Sequence, residues 1–189
     1  MLGDPAKCVA ERLLAPVNRR LARAGASPVL AHLGEVAMAA ATGALLARRR
    51  PRAAIATFVA HCWCDYLDGA LRRTGEATVR QAPLPADLAH ALSDKLAEAL
   101  IFAGAALGRL VSWPLAVLAL IASCLSTITG FALQRKGIPR DHAIFDRTDR
   151  MGALLTGLLA GSVGPALLAA CAMGLLVILQ RLFAPASRT

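Results

Sequence analysis

At residues 53–73 the chain carries the stretch AAIATFVAHCWCDYLDGALRR, an apolar run that ends in two aspartates, a glycine and two arginines. Because about 20 apolar residues suffice to cross a bilayer as a helix, the run is predicted to be a membrane span. Asp65 and Asp68 then lie near one end of that span, where each carboxylate costs roughly 2.5–3.5 kcal/mol on insertion scales. Gly69 leaves room beside them for a ligand or another backbone. The pair is therefore a hypothesis for a functional site in a membrane protein.

The composition agrees with this interpretation. Of the 189 residues, 57% are apolar and only 17% are charged, and the mean hydropathy is +0.55. A net charge of +9 would suggest nucleic-acid binding in a soluble protein, but most of the Lys and Arg residues here flank apolar stretches. We therefore expect membrane lipids and phosphorylated substrates as partners, and no nucleic acid. Only short loops remain between the apolar stretches, which predicts a single membrane domain over residues 1–189.

The expected fold is all-α and integral to the membrane, with six transmembrane helices and an N-terminal interfacial amphipathic helix. Residues 4–24 alternate apolar and basic side chains in a helical rhythm, which suits the membrane interface. The bundle should occupy about 29–183. Its predicted spans are 29–48, 53–71, 88–111, 113–134, 151–164 and 166–183.

The distribution of positive charge predicts the orientation. With the N-terminus in the cytoplasm, most of the 21 Lys and Arg residues fall on the inner side, although the RRRPR run at 48–52 falls outside. We therefore expect both termini in the cytoplasm and an active site that faces the cytoplasm from the plasma (inner) membrane. No removable signal peptide is expected at the N-terminus.

A second polar cluster follows in LPADLAHALSDKLAEAL, residues 84–100. On a helix four of its polar residues share one face; they are Asp87, His90, Asp94 and Glu98. On the predicted topology this face begins at the same depth as Asp65 and Asp68. Carboxylates from two helices can hold Mg²⁺ or Mn²⁺ and bridge it to the phosphates of a nucleotide. Arg72 and Arg73 can neutralise phosphate oxygens, and Asp94 can take a proton from an alcohol.

These residues resemble the signature of the CDP-alcohol phosphotransferase family, D-x2-D-G-x2-A-R-x8-G-x3-D-x3-D. Asp65, Asp68, Gly69 and Arg73 match its first half. If the connection is four residues longer than usual, the second half falls on Ala86, His90 and Asp94, and SDKLAEAL is similar to the family's ADKL stretch. Residues 14–28, LAPVNRRLARAGASP, resemble its N-terminal interfacial segment. Residues 145–151, FDRTDRM, resemble the start of the fifth span in its inositol-phosphate-using members.

The chain departs from the family pattern at several positions. His90 stands in place of the third aspartate, a metal ligand, and Ala86 in place of the second glycine. Arg72 replaces the alanine, and in the first span Val29 and His32 replace an asparagine and a threonine. Because histidine is a softer ligand than carboxylate, this set predicts altered metal affinity, and Asp87 is a candidate for the missing carboxylate.

The resemblance implies a mechanism. A CDP-linked lipid such as CDP-diacylglycerol would bind across metal ions, Mg²⁺ or Mn²⁺, and Asp94 would deprotonate an acceptor alcohol that displaces CMP. The metal ligands implied are Asp65, Asp68, Asp94 and His90, with Asp87 as the further candidate. Gly69, Arg72, Arg73 and Ala86 would lie against the donor. Arg147 and Arg150, with Arg135 nearby, resemble the residues that hold the acceptor's phosphate in phosphatidylinositol-phosphate synthases. The family also implies a homodimer.

The sequence also permits other functions. Within the class, glycerol phosphate is the alternative acceptor to inositol phosphate. Outside it, the intramembrane polar residues would also suit a small transporter or channel, and the substitutions in the motif would suit a non-catalytic relative. For single residues, structural interpretations compete. Lys95 is expected to snorkel or to pair with Glu98, and His32 can pair with Glu35. His61 is expected either to orient Asp65 or to take a direct part in the site.

Overall fold

The computed structural model describes residues 14–21, 23–73, 86–135 and 143–183, and residues 69, 72, 73, 86 and 87 are described by their backbone alone. In these ranges the regular structure is entirely helical, as predicted. Residues 14–21 are helical within the predicted interfacial helix, whose residues 4–13 and 22 lie outside the described ranges. Six longer helices follow: α1 (Pro28–Ala47), α2 (Pro51–Arg73), α3 (Ala86–Leu107), α4 (Trp113–Arg135), α5 (Arg147–Leu159) and α6 (Val163–Leu182).

Local sequence signals set several helix ends. α1 begins with Pro28 after Ser27, whose hydroxyl accepts a hydrogen bond from the Leu30 amide at 3.3 Å. α5 begins at Arg147, four residues before the predicted span, because Asp146 and Asp149 form a reciprocal capping box with bonds of 2.9 and 3.0 Å. This cap makes the first basic residues of FDRTDRM part of the helix.

α1 packs against both α2 and α3, while α5 and α6 pack together and contact α2 and α4 respectively. α1 and α3 approach especially closely: a Cβ added to Gly43 would overlap the backbone at Leu100, and one added to Gly104 would overlap Gly43 itself. Small residues at a helix contact allow such close approach in membrane bundles. The core beside this contact is formed by Phe58, Ile101, Phe102, Leu154 and Leu167.

Three helices are long and apolar enough to cross a membrane: α1, α4 and α6. α2 and α3 carry the charged residues of the two polar clusters, and α5 has only 13 residues. Among the described residues, a helix thus corresponds to each of the six predicted spans, and three of these helices have the length and composition of a span. Apolar side chains lie exposed along α4 and α6, which suits contact with lipid; they include Val117, Ile121, Leu125, Leu168, Leu175 and Leu179.

Candidate functional site

The two polar clusters found in the sequence meet between α2 and α3. His90 Nδ1 lies 3.3 Å from Asp68 Oδ2, and His90 Nε2 lies 3.9 Å from both Asp65 Oδ1 and Asp94 Oδ2. Asp68 is 1% exposed, whereas the Asp65 side chain is 29% exposed, so the cluster opens to the surface on the Asp65 side. The predicted convergence of the side chains of Asp65, Asp68, His90 and Asp94 is therefore observed.

The spacing of these residues explains why they meet. Residues three or four apart on a helix lie on the same face, so Asp65 with Asp68, and His90 with Asp94, project together from α2 and α3. Both helices pack on α1, which brings the two faces to the same part of the bundle.

α1 adds two residues that the family motif does not contain. His32 Nε2 lies 3.5 Å from Asp68 Oδ1, and its Nδ1 lies 3.1 Å from Ser93 Oγ and 3.8 Å from Glu35 Oε2. The predicted proximity of His32 and Glu35 is confirmed, but their place beside the acidic cluster is a finding of the structure. A signal was present in the sequence, since Glu35 is an ionisable residue in a long apolar run and is 0% exposed.

Arg147, at the start of α5, lies among four carboxylates. Its Nη1 lies 2.6 Å from Asp65 Oδ1 and 2.7 Å from Asp94 Oδ1, and its Nη2 donates a 2.9 Å hydrogen bond to Glu35 Oε1. Its Nε is 3.7 Å from Glu98 Oε1. The sequence predicts a role for Arg147 in holding an acceptor phosphate, and this role stays a prediction. In the structure its guanidinium lies among the carboxylates of the acidic cluster and neutralises them.

Lys95, Glu98 and Ser123 form a neighbouring polar group. Lys95 Nζ lies 2.7 Å from Glu98 Oε2, which confirms their expected pairing, and Ser123 Oγ bonds to both. Ser123 lies on α4 and bonds to both charged residues of α3, so this neutral group stabilises the contact between the two helices.

Arg150 is 8% exposed and lies next to Ser126 on α4, with Nη1 at 3.4 Å from Ser126 Oγ. Arg181, which the sequence did not single out, donates to the backbone carbonyl of the same serine. Two guanidinium groups from α5 and α6 therefore converge on one turn of α4. Arg135 is exposed in the last turn of α4 and is not among the described residues that pair with the carboxylates.

The remaining sequence predictions have different outcomes. The side chains of Gly69, Arg72, Arg73, Ala86 and Asp87 lie outside the described part of the structure, so their expected roles stay predictions. His61 Nδ1 lies 3.3 Å from the backbone oxygen of Glu35, so the described contact of this imidazole is with α1 and not with Asp65.

Two sets of side chains in the described ranges have ligand atoms close enough to share a metal ion. One is Asp65, His90 and Asp94; the other is His32, Asp68 and His90, and within each set the atoms lie within 4.8 Å of one another. Carboxylate oxygens suit Mg²⁺ and Mn²⁺, and imidazole nitrogens suit transition metals. The donor chemistry of the cluster therefore fits a divalent cation.

Solved structures of similar fold were found. A crystal structure of the Mycobacterium tuberculosis phosphatidylinositol phosphate synthase PgsA1 with CDP-DAG bound matches with a TM-score of 0.72 and 19% identity, over 94% of this chain and 98% of that one. The same enzyme in complex with manganese and citrate gives 0.71 and 18%, over 92% of each chain. Its apo form gives 0.69 and 17%, over 88% and 93%.

No family model matches the chain, and no curated protein matches it in sequence. The structural matches cover nearly the whole of both chains. The resemblance to CDP-alcohol phosphotransferases is thus confirmed at the level of the fold: this chain folds like a phosphatidylinositol phosphate synthase.

Proposed function

We propose that the chain is a membrane-bound, metal-dependent CDP-alcohol phosphotransferase that moves a phosphatidyl group from CDP-diacylglycerol to a small polar alcohol. The observation that carries this proposal is the convergence of Asp65, Asp68, His90 and Asp94, the motif positions, in a chain with the fold of a phosphatidylinositol phosphate synthase. One of the matching structures contains CDP-DAG and another contains manganese, which supports a CDP-lipid donor and a divalent ion here.

The four motif residues, with Asp87 as a further candidate, would hold the cation. A bound divalent ion would neutralise the donor's pyrophosphate and stabilise the CMP leaving group. Gly69, Arg72, Arg73 and Ala86 would lie against the donor, where the two arginines add positive charge for its phosphates.

Asp94 is the proposed general base. Its side chain is 11% exposed, and it lies on the helix that faces the aspartates of α2. It takes the proton from the acceptor hydroxyl, and the oxygen attacks the β-phosphorus of the donor. A new P–O bond forms, the P–O bond to CMP breaks, and CMP leaves with that electron pair. Arg147, which contacts Asp94 Oδ1, favours the ionised carboxylate that this step needs.

Inositol phosphate is the proposed acceptor. Arg150 lies one turn along α5 from Arg147, and Arg181 meets it at Ser126, so positive charge is concentrated beside the acidic cluster. A phosphorylated alcohol would be held by such guanidinium groups. Arg135 is a further candidate ligand for the phosphate, and glycerol phosphate remains the alternative acceptor.

The proposal includes the membrane arrangement. All six helices of each chain would cross the membrane, and two chains would form a homodimer. Both termini and the acidic cluster would lie on the cytoplasmic side of the plasma membrane. α1, α4 and α6 have the apolar length for this. α2, α3 and α5 would be accommodated because their polar faces turn toward the bundle interior, as intramembrane ionisable residues normally do.

The test is to incubate purified protein with CDP-diacylglycerol, Mg²⁺ or Mn²⁺ and a panel of acceptor alcohols. The lipid product is identified by mass spectrometry and CMP is quantified. We expect CMP release that requires the ion and one phosphorylated acceptor. Asp68→Asn should lower the rate at least a hundredfold, since it removes a buried anionic ligand.

Asp146→Asn is the matched control, because Asp146 is an exposed aspartate and asparagine caps a helix equally well. It should keep the wild-type rate. Metal-independent solute flux in liposomes without CMP release would instead indicate a transporter, and a protein that binds neither CDP-lipid nor metal would be a non-catalytic relative.

A further inference from the structure

Three helices, α1, α3 and α5, end on the side of the bundle away from the acidic cluster, and each ends in the same hydrogen-bonded turn. In each turn two successive backbone amides donate to carbonyl oxygens of the last helical turn. The pairs are Arg49 with Leu46 and Arg50 with Leu45, Arg109 with Ala106 and Leu110 with Ala105, and Gly161 with Leu158 and Ser162 with Gly157. This is the Schellman motif, in which one residue takes a left-handed backbone conformation.

Two of the three turns have an arginine at that left-handed position, where glycine is usual. The φ angle is 56° at both Arg49 and Arg109, and 69° at Gly161. Glycine adopts this conformation freely, whereas the Cβ of any other residue comes close to the following carbonyl oxygen. An arginine in the last helical turn would complement the helix dipole without this strain. Because strained residues of this kind are often functional, the two arginine side chains need a further explanation.

The three turns are neighbours, and together they form a basic patch. Arg49 Nε donates a 3.0 Å hydrogen bond to the Gly108 oxygen, and a Cβ added to Gly164 would lie 3.5 Å from the Leu110 oxygen. Neither the turns nor the residues beside them, 44–55, 105–116 and 157–166, contain an aspartate or glutamate. The patch thus carries five positive charges and no negative one. Its arginines, all exposed, are Arg48, Arg49, Arg50, Arg52 and Arg109.

The basic patch is bordered by exposed apolar side chains. It lies where α1 ends and where α4 and α6 begin, and these are the three helices with the composition of a span. Leu107, Trp113 and Leu159 at these helix ends are 63%, 51% and 65% exposed. Tryptophan is enriched at the membrane interface, where the lipid phosphates lie. On the proposed orientation this side faces outward, so the positive-inside tendency does not explain its arginines.

We propose that the basic patch binds the phosphates of anionic phospholipids in the leaflet opposite the acidic cluster. Guanidinium groups form paired hydrogen bonds with phosphate oxygens, and the apolar border contacts the acyl chains of the same lipids. A lipid with net negative charge is preferred over a zwitterionic one, whose own ammonium group cancels the phosphate charge. The site rests on the proposed membrane arrangement and does not depend on the proposed reaction.

Trp113 makes the proposal testable, because the chain has two tryptophans and Trp63→Phe leaves Trp113 as the reporter beside the basic patch. This parent variant is reconstituted in phosphatidylcholine vesicles that contain increasing fractions of brominated phosphatidylglycerol or, in a second series, brominated phosphatidylcholine. Bromine quenches tryptophan fluorescence on contact, so the two series give the relative affinity of the two lipids at Trp113. We expect phosphatidylglycerol to be preferred by roughly fivefold or more, and the preference to fall as the salt concentration rises.

Combining Arg50→Gln with Arg109→Gly in this parent should abolish the preference. Glycine relieves the left-handed backbone at position 109, so the protein should melt no lower than its parent. If it fails to fold, Arg50→Gln with Arg52→Gln replaces it. The matched control combines Arg19→Gln with Arg20→Gln, which removes the same charge from exposed positions of the 14–21 helix.

The control should keep the preference, since the 14–21 helix contacts α2 at Trp63, in the half of α2 that carries the acidic cluster. The proposal is overturned by equal quenching in the two lipid series, which a surface for an acidic protein would also give. It is likewise overturned by a preference that survives loss of the patch arginines, or by an equal loss in the control. The vesicles contain no CDP-lipid, so the result is independent of CMP release.

Discussion

Among the described residues, Arg147 is the arginine that neutralises the acidic cluster. Its guanidinium contacts Glu35, Asp65 and Asp94 at 2.6–2.9 Å, and these three carboxylates come from three helices. Removing one partner from a buried ionic group costs about 3–5 kcal/mol, because the remaining charges lose their compensation. Without this guanidinium, the carboxylates around it would form a strongly anionic cluster.

Arg147→Gln should therefore lower the free energy of unfolding of the metal-free protein by about 3 kcal/mol or more, and with it the melting temperature. Mn²⁺ should restore more stability to this variant than to the wild type, because a divalent ion can replace the missing positive charge. Differential scanning fluorimetry with and without Mn²⁺ measures both effects. Arg135→Gln, at an exposed position, should leave both melting temperatures unchanged. Equal stability of metal-free Arg147→Gln and wild type would show that the guanidinium does not neutralise the cluster.

His90 is the position where the chain departs most clearly from the family motif, and the reverse substitution tests its placement. His90→Asp adds a carboxylate oxygen, which Mg²⁺ prefers over nitrogen. We expect Mg²⁺-dependent CMP release to be preserved or raised, with half-maximal activity at an Mg²⁺ concentration on the order of tenfold lower. Steady-state assays over a range of Mg²⁺ and Mn²⁺ concentrations give this result directly. Complete loss of activity in a folded variant would contradict a metal-ligand position for His90.

The sequence predicted the aspartates and histidine of the site because the family motif has fixed spacing on two helices. It did not predict the position of Arg147 among the carboxylates, nor that His32 and Glu35 join the cluster. Those contacts depend on how α1 and α5 pack against α2 and α3. Residues such as Glu35 and Arg147 are far apart in the chain, and no local pattern relates them.

The packing of α1 against α3 sets how close His90 and Asp94 lie to the polar residues of α1. Ser93 lies beside His32, and eleven residues further along each helix Gly104 lies against Gly43, so the two helices run parallel in one register. At the second contact the two glycines let the backbones approach. Any side chain inserted there would push apart the helices that carry His32 and His90.

Gly104→Ala should destabilise the protein by about 1–3 kcal/mol, since its Cβ would overlap the backbone of Gly43. It should also weaken Mn²⁺ binding, because α3 supplies His90 and Asp94 to the proposed ion. Thermal unfolding and Mn²⁺ titration measure the two effects. Gly152→Ala is the matched control: a Cβ there meets nothing within 4 Å, and alanine favours a helix by about 1 kcal/mol over glycine. A neutral Gly104→Ala would mean that the two helices are free to separate.

Helix positions were predictable from hydropathy, and helix ends less so. The predicted span at 113–134 lies within the observed Trp113–Arg135, because its apolar run is bounded by Pro114 and by basic residues. The predicted span at 151–164 instead corresponds to Arg147–Leu159, since a capping box of two aspartates starts the helix among charged residues that a hydropathy pattern assigns to a loop. α3 ends at Leu107, before a turn in which Arg109 has a φ of 56°.

The arrangement of the whole molecule relates the site to the membrane. α1, α4 and α6 have apolar composition, and the polar cluster lies on facing sides of α2, α3 and α5, with His32 and Glu35 of α1 beside it. In the proposed membrane arrangement, this division would let the bundle keep several carboxylates in a bilayer: the apolar helices would contact lipid, and the charged side chains pair with one another. The cluster lies near the C-terminal end of α2 and near the N-terminal ends of α3 and α5. These three helix ends should therefore lie on the same side of the membrane, and the cluster should be reached from that side.

The orientation can be tested by labelling single cysteines in intact cells with a membrane-impermeant maleimide, after the five native cysteines are replaced by serine or alanine. Arg50→Cys lies in the turn between α1 and α2, and Ile144→Cys lies just before α5; both positions are exposed. If the acidic cluster faces the cytoplasm, Arg50→Cys should be labelled in intact cells and Ile144→Cys only after the membrane is permeabilised. The cysteine-free protein gives the background, and permeabilised cells show that both thiols are reactive. The opposite labelling pattern would place the cluster outside, where no cytoplasmic CDP-lipid pool could reach it, and would contradict the proposed function in its cellular setting.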